Sequence, residues 1–169
     1  MIRNRSLFNS VFLIALGASV AHAETLLESG DWQAILETEN GKPVCVMSAE
    51  PQKSAGKYTQ RGTVLAIISH RPKEKRFGEV GFQAGYAFMP KSEPTAIIDG
   101  TQSFKLFTQG GHAWALDAKA DKKLAAAMRA GTLMVVKGRS SRGTLTTDTY
   151  SLKGFTAALN AINKACGVK

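Results

Sequence analysis

The sequence predicts a mainly β protein, built as an antiparallel sandwich or barrel with helices only late in the chain. Short segments rich in β-branched and aromatic residues alternate with turn residues, and Asn40-Gly41 and Asp99-Gly100 are favoured hairpin turns. Helical periodicity first appears after residue 116, so helices cannot account for the preceding residues. Because no repeat, low-complexity tract or linker interrupts residues 24–169, we expect them to form a single domain.

Each predicted strand is a run of β-forming residues that ends at Gly, Pro, Asn or Asp. The run at 63–69 is rich in Val, Leu and Ile, which is typical of a buried central strand. Residues 138–143 read as the hairpin loop between the last two strands. We expect strands at residues 31–37, 43–47, 63–69, 96–99, 104–107, 112–116, 132–136 and 144–150.

Two helices are predicted. The first covers residues 119–130, with Asp117 and Asp121 near its start and Gly131 after its end, a charge order that suits the helix dipole. The second follows Ser151, which we expect to cap it, and ends at Gly167. Its apolar residues step by three or four positions and form one stripe, namely Leu152, Phe155, Leu159, Ile162 and Cys166.

Residues 1–23 have the order of a secretory signal peptide. Arg3 and Arg5 precede an apolar run at 11–20, and residues 21–23 read as a cleavage site after Ala23. Ten apolar residues are too few to span a bilayer of about 30 Å, although a membrane anchor is the alternative interpretation. We therefore expect a mature protein that starts near Glu24, works in the periplasm, cell envelope or medium, and has no transmembrane segment.

Cleavage leaves 20 basic and 13 acidic side chains, a net charge of +7. Such a surplus favours anionic partners such as lipid head groups, lipopolysaccharide phosphates or acidic glycans. Export argues against nucleic acid as the partner. The alternative is a solvated surface whose charge serves only solubility.

Two cysteines remain in the mature chain, Cys45 and Cys166. An even count in an oxidising compartment predicts one disulfide, and two free buried thiols are the alternative. Because Cys166 lies on the apolar stripe and Cys45 in an early strand, the bond would link the last helix to the sheet.

The strongest surface feature is the basic run at 70–76, which follows the predicted central strand. Its candidate anion-binding residues are Arg71, Lys73, Lys75 and Arg76, which could hold phosphates or carboxylates through charge-assisted hydrogen bonds. Basic strand ends also serve to prevent edge-to-edge pairing, which is the alternative. A weaker basic cluster consists of Lys137, Arg139 and Arg142.

No motif indicates catalysis, a metal or a cofactor. The mature chain has two histidines, His70 and His112, and neither has a zinc-ligand spacing around it. A hydrolase triad assembled from scattered residues is the rival hypothesis, with His112 beside Asp99 or Asp148. An envelope chaperone or assembly factor is a third, recognisable by an exposed apolar groove or an open sheet edge.

Four further side chains are interpreted as structural. Trp32 and Trp114 lie in alternating strand patterns, which favours the core. Asp148 and Tyr150 alternate on one strand face, and we expect them to join the strand to the following helix through hydrogen bonds.

The C-terminal third carries a more specific pattern. Its segments are 135–138, 140–144 and 148–158, with Tyr150-Ser151-Leu152-Lys153-Gly154-Phe155 as the most distinctive stretch, followed by Cys166. This pattern resembles the invasion-associated locus B family of exported proteins from Gram-negative bacteria. Trp32, Cys45, the 98–100 turn, Phe104 and residues 114–115 follow in a compatible order, so the resemblance covers about residues 30–166.

The resemblance implies an immunoglobulin-like β-sandwich, an envelope location, and an association with host-cell invasion, which some members have. It implies no reaction. Some members have additional cysteines that this chain lacks, so a second disulfide is not expected. Together these observations predict a non-enzymatic binding or structural protein of the envelope that contacts anionic envelope or host components.

Overall fold

The computed structural model describes residues 23–168. The predicted signal peptide falls almost wholly outside this range and stays a prediction. Within this range the chain forms eleven strands, two α-helices and a one-turn 3-10 helix at Pro72–Glu74. The strands are β1 (Glu24–Ser29), β2 (Trp32–Glu39), β3 (Lys42–Ala49), β4 (Lys53–Gly56), β5 (Leu65–Arg71), β6 (Arg76–Gln83), β7 (Thr95–Ile98), β8 (Gln102–Gln109), β9 (His112–Ala115), β10 (Leu133–Arg139) and β11 (Leu145–Ser151), and the helices are α1 (Ala118–Ala130) and α2 (Phe155–Ala165).

All strand pairs are antiparallel, which confirms the predicted mainly β fold. The strands form one hydrogen-bonded series in the order β1-β2-β3-β5-β6-β9-β8-β7-β10-β11-β4. β8 belongs to two layers, because Gln102–Lys105 pair with β7 whereas Leu106–Gln109 pair with β9. The first layer therefore consists of β1, β2, β3, β5, β6, β9 and the second half of β8. The second layer consists of the first half of β8 with β7, β10, β11 and β4.

The two layers share one core. Phe82 of β6 and Tyr150 of β11 approach with ring centroids 6.5 Å apart. Alternate residues of each strand point into this space, as the period of two requires. The largest fully buried side chains come from both layers and both helices, and include Trp32, Met47, Ile68, Phe82, Ile98, Leu106, Leu124, Met128, Met134, Tyr150, Phe155 and Ile162.

Three strands were not predicted, and each lacks the pattern that sequence analysis requires. β4 is Lys-Ser-Ala-Gly and is exposed throughout, so only its hydrogen bonds to β11 define it. β6 begins inside the basic run and contains an irregular register near Gly78. β1 has no clear alternation, and it pairs with β2 across a similar irregularity.

α1 confirms its prediction closely: the Asp117 side chain accepts a hydrogen bond of 2.8 Å from the N–H of Ala120 and caps the helix. The predicted cap of α2 is wrong. Ser151 is the last residue of β11, and α2 begins only at Phe155, after Gly154. Ser151 Oγ instead accepts a hydrogen bond from the N–H of Lys153.

Gly154 explains why the distinctive Tyr-Ser-Leu-Lys-Gly-Phe stretch needs its glycine. Its φ of +91° is left-handed, and a Cβ there would lie 1.8 Å from the carbonyl oxygen of Ser29. The turn is tied to the first layer because the N–H of Asp31 donates to Lys153 O and Trp32 Nε1 donates to Ser151 O. This stretch therefore joins the second layer and α2 to the start of β2.

The sulfur atoms of Cys45 and Cys166 are bonded in the structure, across a sequence separation of 121. Cys45 is fully buried on β3, and Cys166 follows the last turn of α2. α2 packs on β1, β2 and β3 through the apolar stripe, of which Phe155, Leu159 and Ile162 are buried. The bond therefore links the end of α2 to the first layer.

Within residues 23–168, the helices are too short or too polar to cross a bilayer.

Candidate functional site

A cleft of about 640 Å³ lies at one end of the sandwich. Three segments enclose it: the loop after β4, the turn after β6, and the hairpin between β10 and β11. We call it the basic cleft, and its lining residues are Lys57, Tyr58, Thr59, Gln60, Arg61, Gly62, Gly85, Tyr86, Ala87, Ser140, Ser141, Arg142, Thr144 and Thr146.

Arg61 forms the inner wall of the basic cleft. Its Nη1 and Nη2 donate to the two carboxylate oxygens of Asp148, both at 2.7 Å, and its Nε donates to Ala84 O at 2.7 Å. The guanidinium lies 5.4 Å from the ring centroid of Tyr58 and 5.1 Å from that of Tyr86. Burial lowers the pKa of Arg61, but the hydrogen bonds and charge of Asp148 raise it above its ordinary value, so Arg61 stays charged.

Hydroxyl groups form most of the remaining polar lining. The hydroxyls of Tyr86 and Thr146 are 2.6 Å apart and hydrogen-bonded. Burial raises the pKa of Tyr86, so its phenol keeps its proton at neutral pH. Ser140 Oγ accepts from the N–H of Thr144 and shapes the hairpin. Neutral hydroxyls of this kind can donate to an anionic oxygen.

The charges along the basic cleft have one sign. Lys57, Arg61 and Arg142 are the charged residues in its lining, and Asp148 neutralises Arg61 from the interior. Lys57 and Arg142 are exposed and form no ion pair within residues 23–168. The cleft therefore offers two uncompensated cations beside hydroxyl donors, which suits a phosphate or carboxylate ligand.

The basic run predicted as an anion site forms the tight hairpin between β5 and β6. Two of its four cations face carboxylates: Arg71 forms a bidentate pair with Glu39, and Arg76 contacts Glu74 and Glu79. Lys73 and Lys75 are exposed and have no ion pair in the described part of the chain. The candidate set thus has two cations free for a ligand instead of four.

The two basic clusters lie at opposite ends of β6. The hairpin is at Arg76, where β6 begins, and the basic cleft lies beyond Gln83, where β6 ends, which is roughly 20 Å along the strand. Of the second cluster, Arg142 lines the basic cleft. Lys137 and Arg139 line a separate cavity that also contains Glu93.

Asp148 and Tyr150 do not join β11 to α2, so that prediction is wrong. Both side chains point between the layers, where Asp148 holds Arg61 and the buried Tyr150 hydroxyl has no hydrogen-bond partner. Burial strongly raises the pKa of Tyr150. Because β11 passes through the core, alternation directs both residues inward and away from the helix.

The rival hydrolase triad is not assembled. His112 stacks on Trp114 with ring centroids 5.7 Å apart, whereas Asp99 accepts hydrogen bonds from Thr132 and Leu133. Asp148 is occupied by Arg61.

The other histidine within residues 23–168, His70, is buried. Its Nδ1 accepts from the N–H of Gly78, so its Nε2 donates to Asn163 Oδ1. Burial lowers its pKa and keeps it neutral. Residues 23–168 contain no group of three His, Cys, Asp or Glu side chains that could hold a metal.

Sequence analysis missed Lys57, Tyr58, Arg61 and Tyr86. The one local signal was the polar stretch at 57–62, which has a glycine before it and one at its end and shows no alternation of apolar and polar residues. Such a stretch indicates a loop, but it does not indicate that the loop encloses a cleft. Gly62 N donates to Gly85 O at 2.9 Å, and this contact closes the loop onto the turn after β6.

The described residues thus define a small, disulfide-linked, two-layer β-sandwich protein with a basic cleft at one end. A family model described as Invasion associated locus B (IalB) protein matches residues 32–163. The chain belongs to the invasion-associated locus B family, as its C-terminal pattern predicted.

Among solved structures, the chain is similar to the crystal structure of invasion associated protein B from Bartonella henselae. The TM-score is 0.57 at 18% sequence identity, and the match covers 84% of this chain and 96% of that chain. At this identity the likeness supports the fold. The comparison with curated proteins found no match.

Proposed function

We propose that this protein is exported after cleavage behind Ala23 and acts as a non-enzymatic binding protein of the periplasm or cell envelope. Its basic cleft holds phosphate or carboxylate groups of envelope or host-surface components, and through them it supports host-cell invasion. The observation that carries this proposal is the lining of the cleft, in which all charged residues are basic and most other polar groups are hydroxyls. Family membership supports the link to invasion.

The mature protein, residues 24–169, tests the proposal with two probes, lipopolysaccharide and liposomes containing phosphatidylglycerol. Binding should weaken steeply between about 10 and 150 mM salt, because the Debye length falls from about 30 to about 8 Å. Lipopolysaccharide binding without liposome binding would place the anionic ligand on a saccharide instead of a phospholipid. No binding to either probe at low salt would refute the proposal.

Three double variants locate the site. Lys57→Ala/Arg142→Ala should weaken binding by about tenfold or more, since each charged hydrogen bond contributes roughly 1.5–3 kcal/mol. Lys122→Ala/Lys123→Ala removes the same charge from the exposed side of α1 and should retain most of the affinity. Lys73→Ala/Lys75→Ala tests the hairpin predicted from the sequence. If this hairpin variant alone loses binding, the basic cleft is the wrong site.

A bacterial strain that produces the Lys57→Ala/Arg142→Ala variant tests whether anion binding supports host-cell invasion. Invasion of host cells should fall relative to a strain that produces the α1 control variant at the same level. Equal invasion by the two strains would separate the binding activity from invasion.

A further inference from the structure

Trp114 lies over Gly81 on the outer face of the first layer. It pairs with Gly81 of β6, and a Cβ at Gly81 would be 2.4 Å from Trp114 Cζ3 and 2.6 Å from Cε3. The indole therefore rests on the backbone of β6, and Trp114 stays partly exposed. A glycine inside a strand weakens it by roughly 0.5–1 kcal/mol, and the close approach of this ring accounts for its presence.

Other apolar and aromatic side chains extend this surface. The His112 ring stacks beside Trp114 with an interplanar angle of 20°, and Phe107 lies opposite Trp114 on β8. Phe77, Phe107 and Leu116 are 45%, 42% and 60% exposed and line the same cavity as Trp114. Half of the six large hydrophobic residues exposed within residues 23–168 thus gather at one place.

The surface is a groove with polar walls, and its cavity measures about 380 Å³. Lys75, Arg76 and Glu79 line one wall, where Arg76 pairs with Glu79, and Asp117 and Asp121 line the other, at the start of α1. The amide of Gln109 adds a group that both donates and accepts hydrogen bonds. The groove therefore presents an aromatic floor between donors and acceptors of both charge signs.

These walls discriminate among ligand classes. An anion would meet three carboxylates, on Glu79, Asp117 and Asp121, and a cation would meet Lys75 and the ion-paired Arg76. A neutral ligand with many hydroxyls can use both walls, and a flat ring of C–H groups can stack on the electron-rich face of Trp114. Pyranose sugars with equatorial hydroxyls have this combination, because their axial C–H bonds form apolar faces.

We infer that the groove over Trp114 is a carbohydrate-binding site for neutral, β-linked pyranose chains. Trp114 supplies the stacking platform, Gly81 leaves room for its ring, and Gln109 and Asp121 bind hydroxyls at the edge. One Asp121 oxygen already accepts the N–H of Val80 at 2.8 Å, which orients its carboxyl group towards a fixed position. This site is separate from the basic cleft and does not depend on it.

Tryptophan fluorescence of the mature protein tests the inference, with cellohexaose and chitohexaose as probes. The chain has two tryptophans and Trp32 is 1% exposed, so a ligand-induced shift reports on Trp114. At about 0.5 M NaCl, where electrostatic binding in the basic cleft is screened, at least one hexasaccharide should bind with a dissociation constant of about 1 mM or lower. The test thus fails or succeeds independently of the proposed anion binding.

Variants identify the site by calorimetric titration, which needs no tryptophan. Trp114→Ala should weaken binding by about tenfold or more, and Trp114→Phe should restore part of it. Gln109→Ala should weaken binding less. Leu145→Ala removes a similarly exposed apolar side chain outside the groove, at 62% exposure, and should bind like the wild type.

Two results would overturn the inference. One is the absence of saturable binding of both hexasaccharides up to about 10 mM, and the other is an affinity unchanged in Trp114→Ala. Two other ligands could occupy such a groove, a second copy of this chain or an apolar peptide, and sedimentation velocity measures whether the protein dimerises. A wild-type dimer that Trp114→Ala dissociates, without sugar binding, would assign the groove to a second copy of this chain, and capture of an apolar peptide alone would assign it to a client segment.

Discussion

Arg61 and Asp148 form a bidentate ion pair with two N–O distances of 2.7 Å, and their side chains are only 6% and 5% exposed. Arg61 comes from the loop between β4 and β5, whereas Asp148 lies on β11. The pair therefore fastens the loop that forms one wall of the basic cleft to the second layer. The hydrogen bond from Arg61 Nε to Ala84 O ties the same loop to the end of β6.

Removing one member of this pair should be strongly destabilising. Asp148→Ala leaves the guanidinium of Arg61 buried without its carboxylate, and the expected loss in the free energy of unfolding is about 3–5 kcal/mol. Arg61→Ala should cost a similar amount. In urea unfolding, the double variant should lose clearly less than the sum of the two single losses, because it leaves neither charge unpaired. Additive losses would show that the two side chains do not act as a pair.

The disulfide should contribute a large share of the stability. A closed loop of this length restricts the unfolded chain, and loss of a native disulfide typically costs about 2–5 kcal/mol. Cys45→Ala/Cys166→Ala should therefore lower the melting temperature by roughly 5–15 °C. A reductant should lower the melting temperature of the wild type to a similar value and leave the variant unchanged, which separates the cross-link from the cavity at Cys45. Equal melting of oxidised wild type and variant would contradict a stabilising bond.

Phe155 should be the most sensitive position of α2. Its ring is fully buried and packs edge-on against Trp32, with centroids 5.0 Å apart. Phe155→Ala should reduce the free energy of unfolding by about 3–5 kcal/mol. Thr156→Ala changes the adjacent exposed residue of the same helix and should stay within about 0.5 kcal/mol of the wild type. A loss below about 1 kcal/mol for Phe155→Ala would mean that this face of α2 is not packed.

Asp121 should make the stability depend on pH. Burial raises its pKa to about 6 from an ordinary value of 3.8; the N–H of Val80 opposes this shift, and the charges of Glu79 and Asp117 add to it. Between about pH 4 and 6 the folded state binds more protons than the unfolded state, so the contribution of Asp121 falls as pH rises through this window. At pH 7 the ionised carboxylate costs on the order of 1–3 kcal/mol.

Asp121→Asn removes this charge and keeps an oxygen that can accept from Val80. In urea unfolding, the variant should gain stability over the wild type at pH 7 and lose most of that gain at pH 4. Glu50→Gln, at an exposed carboxylate, serves as the matched control and should show no such change between the two pH values. A gain that is the same at both pH values would assign the effect of Asp121→Asn to packing instead of ionisation.

Much of the fold could be predicted from the sequence, because its signals are local. The alternation in β2 and β3, the Asp99-Gly100 turn and the apolar stripe of α2 each report the burial of a single element. Strands without such a pattern were missed, since β4 exists only through its hydrogen bonds to β11. The start of α2 was also misplaced, because the left-handed turn at Gly154 depends on the approach of Ser29.

The candidate sites depended on contacts that no local pattern reports. The run at 70–76 looked like four free cations, but Glu39 and Glu79 reach Arg71 and Arg76 only in the folded chain. Arg61 and Asp148 are 87 positions apart, and the sequence around neither residue indicates that the two form an ion pair. Trp114 had the strand pattern of a core residue, yet it lies on the outer face over Gly81.

The sequence by itself thus determined the class of fold, the late helices, the family and the inward position of Cys166, since periodicity and motifs are properties of neighbouring residues. Only the tertiary structure decided which charges are neutralised and which loops meet around the basic cleft. The physical reason is that an ion pair or a cavity depends on the distance between segments, and the packing of the two layers sets that distance.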